Sequence, residues 1–127
     1  MRLLVLDESP LLAWTVERLS PAGTDVAFAR SLEEARLLLA RTPPDAVIVS
    51  VPPASLPWSE FQRLCASHRP PVPVLYLSCL FESPSEAGLD DAEGRPELLR
   101  KPVERADFEA ALGRLFDAAR EARGGPG

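Results

Sequence analysis

Five polar residues stand at or near the ends of short apolar runs in this chain of 127 residues. They are Asp7, Glu8, Ser50, Ser78 and Lys101. Carboxylates can hold a divalent cation, and an ammonium group can balance negative charge beside them. Each of these residues alone is ordinary for a turn or a strand end. A fold that brought all five together would give them one charged crevice.

Lys101 is the only lysine among 14 basic residues, and the others are all arginine. The chain is also rich in alanine and proline, as coding bias toward G and C would produce. A lysine that persists under such a bias indicates a place where a compact ammonium fits and a planar guanidinium does not. We therefore expect Lys101 to pair with Asp7 or Glu8, with nitrogen and oxygen within about 4 Å.

Strand and helix signals alternate along the chain. Apolar runs predict five strands, at 2–6, 25–29, 45–51, 72–79 and 98–100. Start and stop signals predict helices at 9–20, 31–41, 58–68 and 104–123, with a further short helix within 82–94. Ser9 is the expected N-cap of the first helix, and Ser31 with Glu34 forms a capping box at the second.

Five strand–helix units predict an α/β domain with three layers, in which helices cover both faces of a parallel sheet. Residues 1–123 would form this single domain, and 124–127 would be a flexible tail or the start of a linker. In such sheets function gathers beyond the carboxyl ends of the strands. All five polar residues fall there.

The pattern resembles the receiver domain of two-component response regulators over about residues 2–120. Asp7-Glu8 matches the opening acidic pair of that family, and the run 45–49 matches the residues before its phosphoacceptor aspartate. The strand 73–78 resembles the one that ends in the switch Thr or Ser, and Lys101-Pro102 matches the Lys-Pro pair after the fifth strand. The resemblance implies a flavodoxin-like (βα)5 fold with strand order 2-1-3-4-5.

Three departures from that pattern matter for function. Ser50 occupies the acceptor position, Leu98 occupies the position of the switch aromatic, and Ala54 and Trp58 replace the Pro and Gly of the following loop. The combination resembles the atypical, pseudo-receiver group, which acts through protein contacts. It implies no enzymatic activity, no cofactor and no metal beyond weak Mg²⁺ binding at Asp7 and Glu8.

The expected partner is another signalling protein or the chain's own output domain, with a homodimer possible. Trp14 lies opposite the apolar stripe of the first helix, and Trp58 lies at the rim of the crevice, so both are candidate contacts. A second candidate surface combines the fourth helix, the fifth strand and the fifth helix. Two alternatives stay open: a phosphorelay receiver with Asp7, Glu8 or Ser50 as acceptor, and a sensor that binds a small ligand in the crevice.

Other functions find no support in the sequence. The net charge is -5 without a basic stripe, which disfavours nucleic-acid binding. The apolar run 3–6 is too short to be a signal peptide or a membrane span. Cys65 and Cys79 are far apart, and we interpret them as reduced thiols of a cytoplasmic protein, with Cys65 in packing. No nucleotide-binding or serine-hydrolase motif is present.

Overall fold

The computed structural model describes residues 1–51, 58–78 and 96–124. Its centre is a five-stranded, fully parallel sheet in the order β2-β1-β3-β4-β5, which confirms the predicted order. The strands are β1 (Arg2–Leu6), β2 (Asp25–Ala29), β3 (Ala46–Val51), β4 (Val74–Ser78) and β5 (Glu97–Arg100). The helices are α1 (Leu11–Leu19), α2 (Leu32–Arg41), α3 (Trp58–Ser67) and α4 (Arg105–Gly124).

Helices cover both faces of the sheet, as the strand–helix alternation predicts. One buried cluster joins the sheet to α2 and α3 and includes Leu4, Leu39, Phe61 and Tyr76. The other cluster joins it to α1 and α4. Alternate residues of β1 face opposite clusters, because side chains along a strand point to opposite faces of the sheet.

The long last helix packs by the stripe that its sequence predicts. Its buried residues are Phe108, Ala111, Leu112, Leu115, Phe116 and Ala119. They recur at spacings of three and four, which puts them on one side of an α-helix. This stripe holds α4 against the sheet and leaves its charged residues in solvent.

The two predicted helix starts have different outcomes. At α2 the capping box is confirmed, because Ser31 Oγ accepts a hydrogen bond from Glu34 N at 3.1 Å. At α1 the prediction of Ser9 as N-cap is wrong by one residue: Pro10 holds the cap position and makes no side-chain cap hydrogen bond. Ser9 Oγ instead accepts from Leu11 N at 3.3 Å, so it still satisfies one free amide of the first turn.

Most predicted bounds differ from the observed ones by one or two residues. The fourth strand starts at Val74 because Val72 N donates to Cys65 O, at the end of α3, and so lies outside the ladder. The predicted short helix, Cys79, Ala54 and the last three residues lie outside the described residues. Within the part that is described, no helix is both long and apolar enough to cross a membrane.

Candidate functional site

The carboxyl ends of the strands bring the five predicted polar residues to one edge of the sheet. Leu6 pairs with Val49 and Leu77 pairs with Ser50, so Asp7 and Ser50 continue neighbouring strands at the same level. Lys101 N donates to Ser78 O at 2.7 Å, which fixes the residue after β5 against the end of β4. The five residues therefore share the edge of the sheet at which the sequence places them.

Within this crevice the ammonium of Lys101 is bound by a serine. Lys101 Nζ donates to Ser50 Oγ, and the Ser50 side chain is buried, with 6% of its surface exposed. Lys101 itself is half-buried. The contact crosses β4, because β3 and β5 flank that strand in the sheet.

The prediction of an ion pair between Lys101 and Asp7 or Glu8 is wrong. Among the ion pairs that the described residues form, none joins Lys101 to either carboxylate. The strand order explains the outcome: β1 lies three strands from β5, or about 14 Å, whereas β3 lies two strands away, or about 10 Å. Ser50 is thus the nearer oxygen.

The acidic pair is held locally by the backbone. Asp7 N donates to Ala29 O at 3.1 Å, which ties the end of β1 to the end of β2. The Asp7 carboxylate accepts a hydrogen bond from Glu8 N at 2.7 Å. Asp7 is half-buried, and Glu8 is exposed.

The oxygen atoms of Asp7, Glu8 and Ser50 do not fit the Mg²⁺ site of a phosphorylated receiver domain. Asp7 and Glu8 supply carboxylates, but the third position offers an alcohol whose oxygen already accepts from an ammonium. Among the residues that the structure describes, no group of three or more His, Cys, Asp or Glu could hold a metal ion.

The position of the switch aromatic is filled by a packed aliphatic side chain. Leu98 is 8% exposed and belongs to the cluster under α2 and α3. It pairs in the sheet with Tyr76, whose hydroxyl donates to Gln62 Oε1 at 3.0 Å in the interior. Burial, and to a lesser extent Cys65, raises the pKa of the Tyr76 phenol.

Sequence reasoning missed this internal hydrogen bond. Gln62 is only 1% exposed, although glutamine is usually a surface residue. The one available signal was its place next to Phe61, on the apolar side of α3. The bond fixes α3 to Tyr76 of β4, the residue that pairs with Leu98 of β5.

Cys65 is buried in the same cluster, so its predicted packing role is confirmed. Burial raises the pKa of its thiol to about 12. A thiol with that pKa stays protonated at neutral pH, and thiolate is the nucleophilic form. Cys65 is therefore structural.

The outer face of α1 carries the largest exposed apolar side chains of that helix. Trp14 is 56% exposed, which confirms the predicted helix phase, and Leu11 one turn earlier is 63% exposed. Val16 is fully buried on the opposite side, while Leu12 and Leu19 of the predicted stripe are half-buried. Trp58 begins α3 as predicted, but its side chain lies outside the described part of the structure.

Comparisons with known proteins show similarity in structure. No protein-family model matches the chain, and a search of curated sequences finds no relative. The chemotaxis response regulator CheY4 of Vibrio cholerae matches with a TM-score of 0.71 and 23% identity, over 90% of this chain and 97% of that chain. The signal receiver domain of an HD domain-containing protein from Pseudomonas fluorescens Pf-5 matches with a TM-score of 0.75 and 20% identity, over 94% and 97%.

An orphan response regulator of H. pylori, HP1043, also matches, with a TM-score of 0.73 and 22% identity over 94% of this chain and 97% of that chain. All three likenesses extend over nearly the whole of both chains, so the shared feature is the complete fold. Together with the strand order, they show that this chain has the receiver fold of response regulators.

Proposed function

We propose that the chain is an atypical receiver-like signalling domain that is not phosphorylated and acts by protein–protein interaction. The observation that carries the proposal is the side chain at the end of β3. There an uncharged serine hydroxyl, bound by Lys101, stands where the resemblance puts the phosphoacceptor carboxylate. The chain would transmit signals through the surface it presents to partners.

Ser50 is a poor nucleophile in this setting. Its hydroxyl has a high pKa, and attack on a phosphoryl donor would need a general base to remove the proton. The group bound to it is an ammonium, which donates to the oxygen and cannot accept that proton. Because the side chain is also 94% buried from solvent, a donor would have little access to it.

The proposed partner surface is the outer face of α1. Leu11 and Trp14 expose more than half of their side-chain surface there, and an exposed tryptophan is a common anchor of protein interfaces. The partner would be another signalling protein or an output domain of the same polypeptide. The same face could also bind a second copy of this chain, and the Trp14→Ala variant tests that self-association.

Phosphorylation is tested with labelled acetyl phosphate, and phosphoryl mimicry with Mg²⁺ and beryllofluoride. We expect no label uptake and no saturable heat of binding for the unmodified protein, and the same for Ser50→Ala. Ser50→Asp rebuilds the third carboxylate, so it should bind Mg²⁺ measurably in titration calorimetry. Label on the unmodified protein would contradict the proposal and favour a phosphorelay receiver, whose acceptor mass spectrometry would locate among Asp7, Glu8 and Ser50.

A further inference from the structure

A hollow of about 550 Å³ lies next to Lys101, between α1 and the start of α4. Its apolar walls come from Leu12 of α1, Leu77 of β4, Val103 and Phe108. Leu77 and Phe108 are nearly fully buried, so the floor is part of the packed core. The hollow is open to solvent, and its mostly apolar lining suits the apolar body of a small molecule.

Lys101 is the one charged side chain among the described residues that line the hollow. An ammonium has three donor hydrogens, and the contact with Ser50 uses one of them. Asp7 and Glu8 end β1 and do not line the hollow. A negatively charged group at Lys101 would therefore find ammonium hydrogens that Ser50 does not use, and no carboxylate among the described lining residues.

A second hollow adjoins the first along α1, and its charged lining residues are also basic. This second hollow, of about 410 Å³, shares Thr15, Val103 and Phe108 with the first and adds Arg18 and Arg105. Its described lining contains no acidic residue. Arg105 Nε donates to Glu109 at 2.8 Å, which weakens its contribution. The described lining of the two hollows therefore carries basic side chains and no acidic one.

We propose that the hollow beside Lys101 binds a small organic carboxylate with an apolar body, held by a charge-assisted hydrogen bond to Lys101 Nζ. The apolar body would cover Leu12, Val103 and Phe108. The Thr15 hydroxyl donates its hydrogen to Leu11 O, so its oxygen remains available as an acceptor at the wall of the hollow. Occupancy would fix the residues after β5 against α1. The inference goes beyond the proposed function, because binding does not depend on phosphorylation or on a protein partner.

The test compares three probes of equal chain length: octanoate, 1-octanol and octylammonium. We expect saturable binding of octanoate by titration calorimetry, with a Kd at least about tenfold lower than that of octanol, because charged hydrogen bonds are the stronger kind. Octylammonium should bind more weakly than octanol. Inorganic phosphate, which has no apolar body, should not bind saturably.

Two variants locate the site. Lys101→Met keeps the stem and removes the charge, so octanoate should lose its advantage over octanol. Val103→Phe fills the hollow, so both probes should lose affinity. Arg63→Met removes an exposed cation from α3, on the opposite face of the sheet, and should change neither affinity.

The proposal is overturned if octanoate does not bind, or if Lys101→Met keeps the preference for octanoate. If Val103→Phe does not fold, the site is mapped in the unmodified protein, by amide chemical shifts during titration with octanoate. Shifts centred on Thr15, Leu77, Val103 and Phe108 support the site, and shifts centred elsewhere refute it. Failure here leaves the phosphorylation experiment on Ser50 unaffected, so the two proposals fail separately.

Discussion

At the end of β3, a neutral oxygen holds the only lysine of the chain. The hydrogen bond between Lys101 and Ser50 balances no charge, so it should be weaker than the ion pair a carboxylate would make at the same place. Its value lies in placement. The contact holds the ammonium of the half-buried Lys101 at the end of β3, without an ion pair to Asp7 or Glu8.

A double-mutant cycle with Ser50→Ala and Lys101→Met measures this contact. We expect each single change to lower the free energy of unfolding by about 1 kcal/mol, because a buried hydroxyl or an ammonium loses its partner. The coupling between the two should be about 0.5–1.5 kcal/mol in urea titrations. Zero coupling would mean that Lys101 interacts elsewhere in solution.

The raised pKa of Cys65 makes stability depend on alkaline pH. In the unfolded chain a thiol loses its proton near pH 8.5, whereas in the folded chain burial raises the pKa to about 12. The folded state therefore binds more protons between these values, and stability should fall as pH rises from about 8.5 toward 12. The contribution is fully present below pH 8.5.

Urea unfolding between pH 9 and 10 tests this expectation in a Cys79→Ser background, which leaves one thiol. Cys65→Val, similar in size and without a thiol, should reduce the downward slope by about 1 kcal/mol per pH unit. Equal slopes with and without the thiol would show that Cys65 ionises as freely in the folded protein as in the unfolded chain. In that case it would not be shielded by the cluster under α2 and α3.

The first helix separates a packing face from an exposed face. Ala13 and Val16 are buried against the sheet, while Leu11 and Trp14 face solvent about half a turn away. A short helix of nine residues gains most of its stability from its buried side. Its exposed side is therefore free to carry a function without a large effect on the fold.

This division predicts opposite effects for two substitutions in α1. Trp14→Ala should change the free energy of unfolding by no more than about 0.5 kcal/mol, whereas Val16→Ala should cost about 2 kcal/mol through a cavity in the core. Urea titration gives both values. Sedimentation velocity then shows whether any self-association is lost in Trp14→Ala.

A large loss of stability in Trp14→Ala would contradict the exposed placement of its ring. A self-association that survives the change would assign another surface to a second copy of the chain. The face formed by β5 and α4, where Arg114 Nε donates to Glu97 at 3.0 Å, is the next to examine.

The sequence predicts the elements well because their signals are local. Short apolar runs predict the five strands. The capping box at Ser31 lies within one helical turn, and the stripe that begins at Phe108 lies within one helix. The partner of Lys101, the Tyr76–Gln62 hydrogen bond and the hollow beside α1 depend on side chains from separate elements. Pattern alone carries no distances between elements, so these features required the structure.

Helix α4 packs directly on β3 and β4. Through the sheet itself, a change at Ser50 would pass β4 and β5 to reach Glu97, which binds Arg114 of α4. Leu98 stands on that path, packed in the core beside Tyr76. The Tyr76 hydroxyl donates a buried hydrogen bond to Gln62, which fixes the side chain of Tyr76 next to Leu98.

Restoring the carboxylate should therefore fill the crevice without switching the molecule. In Ser50→Asp with Mg²⁺ and beryllofluoride, we expect amide chemical shifts to change at the ends of β1 and β3 and at Lys101. They should change little at Leu98, Glu97 and Arg114, because an aliphatic side chain has no hydroxyl to follow the new charge. Ser50→Ala with the same additions is the matched control and should show neither set of changes. Shifts in Ser50→Asp that reach Glu97 and Arg114 would show that packing alone transmits the signal, and Leu98 would then be no barrier to a receiver-type switch.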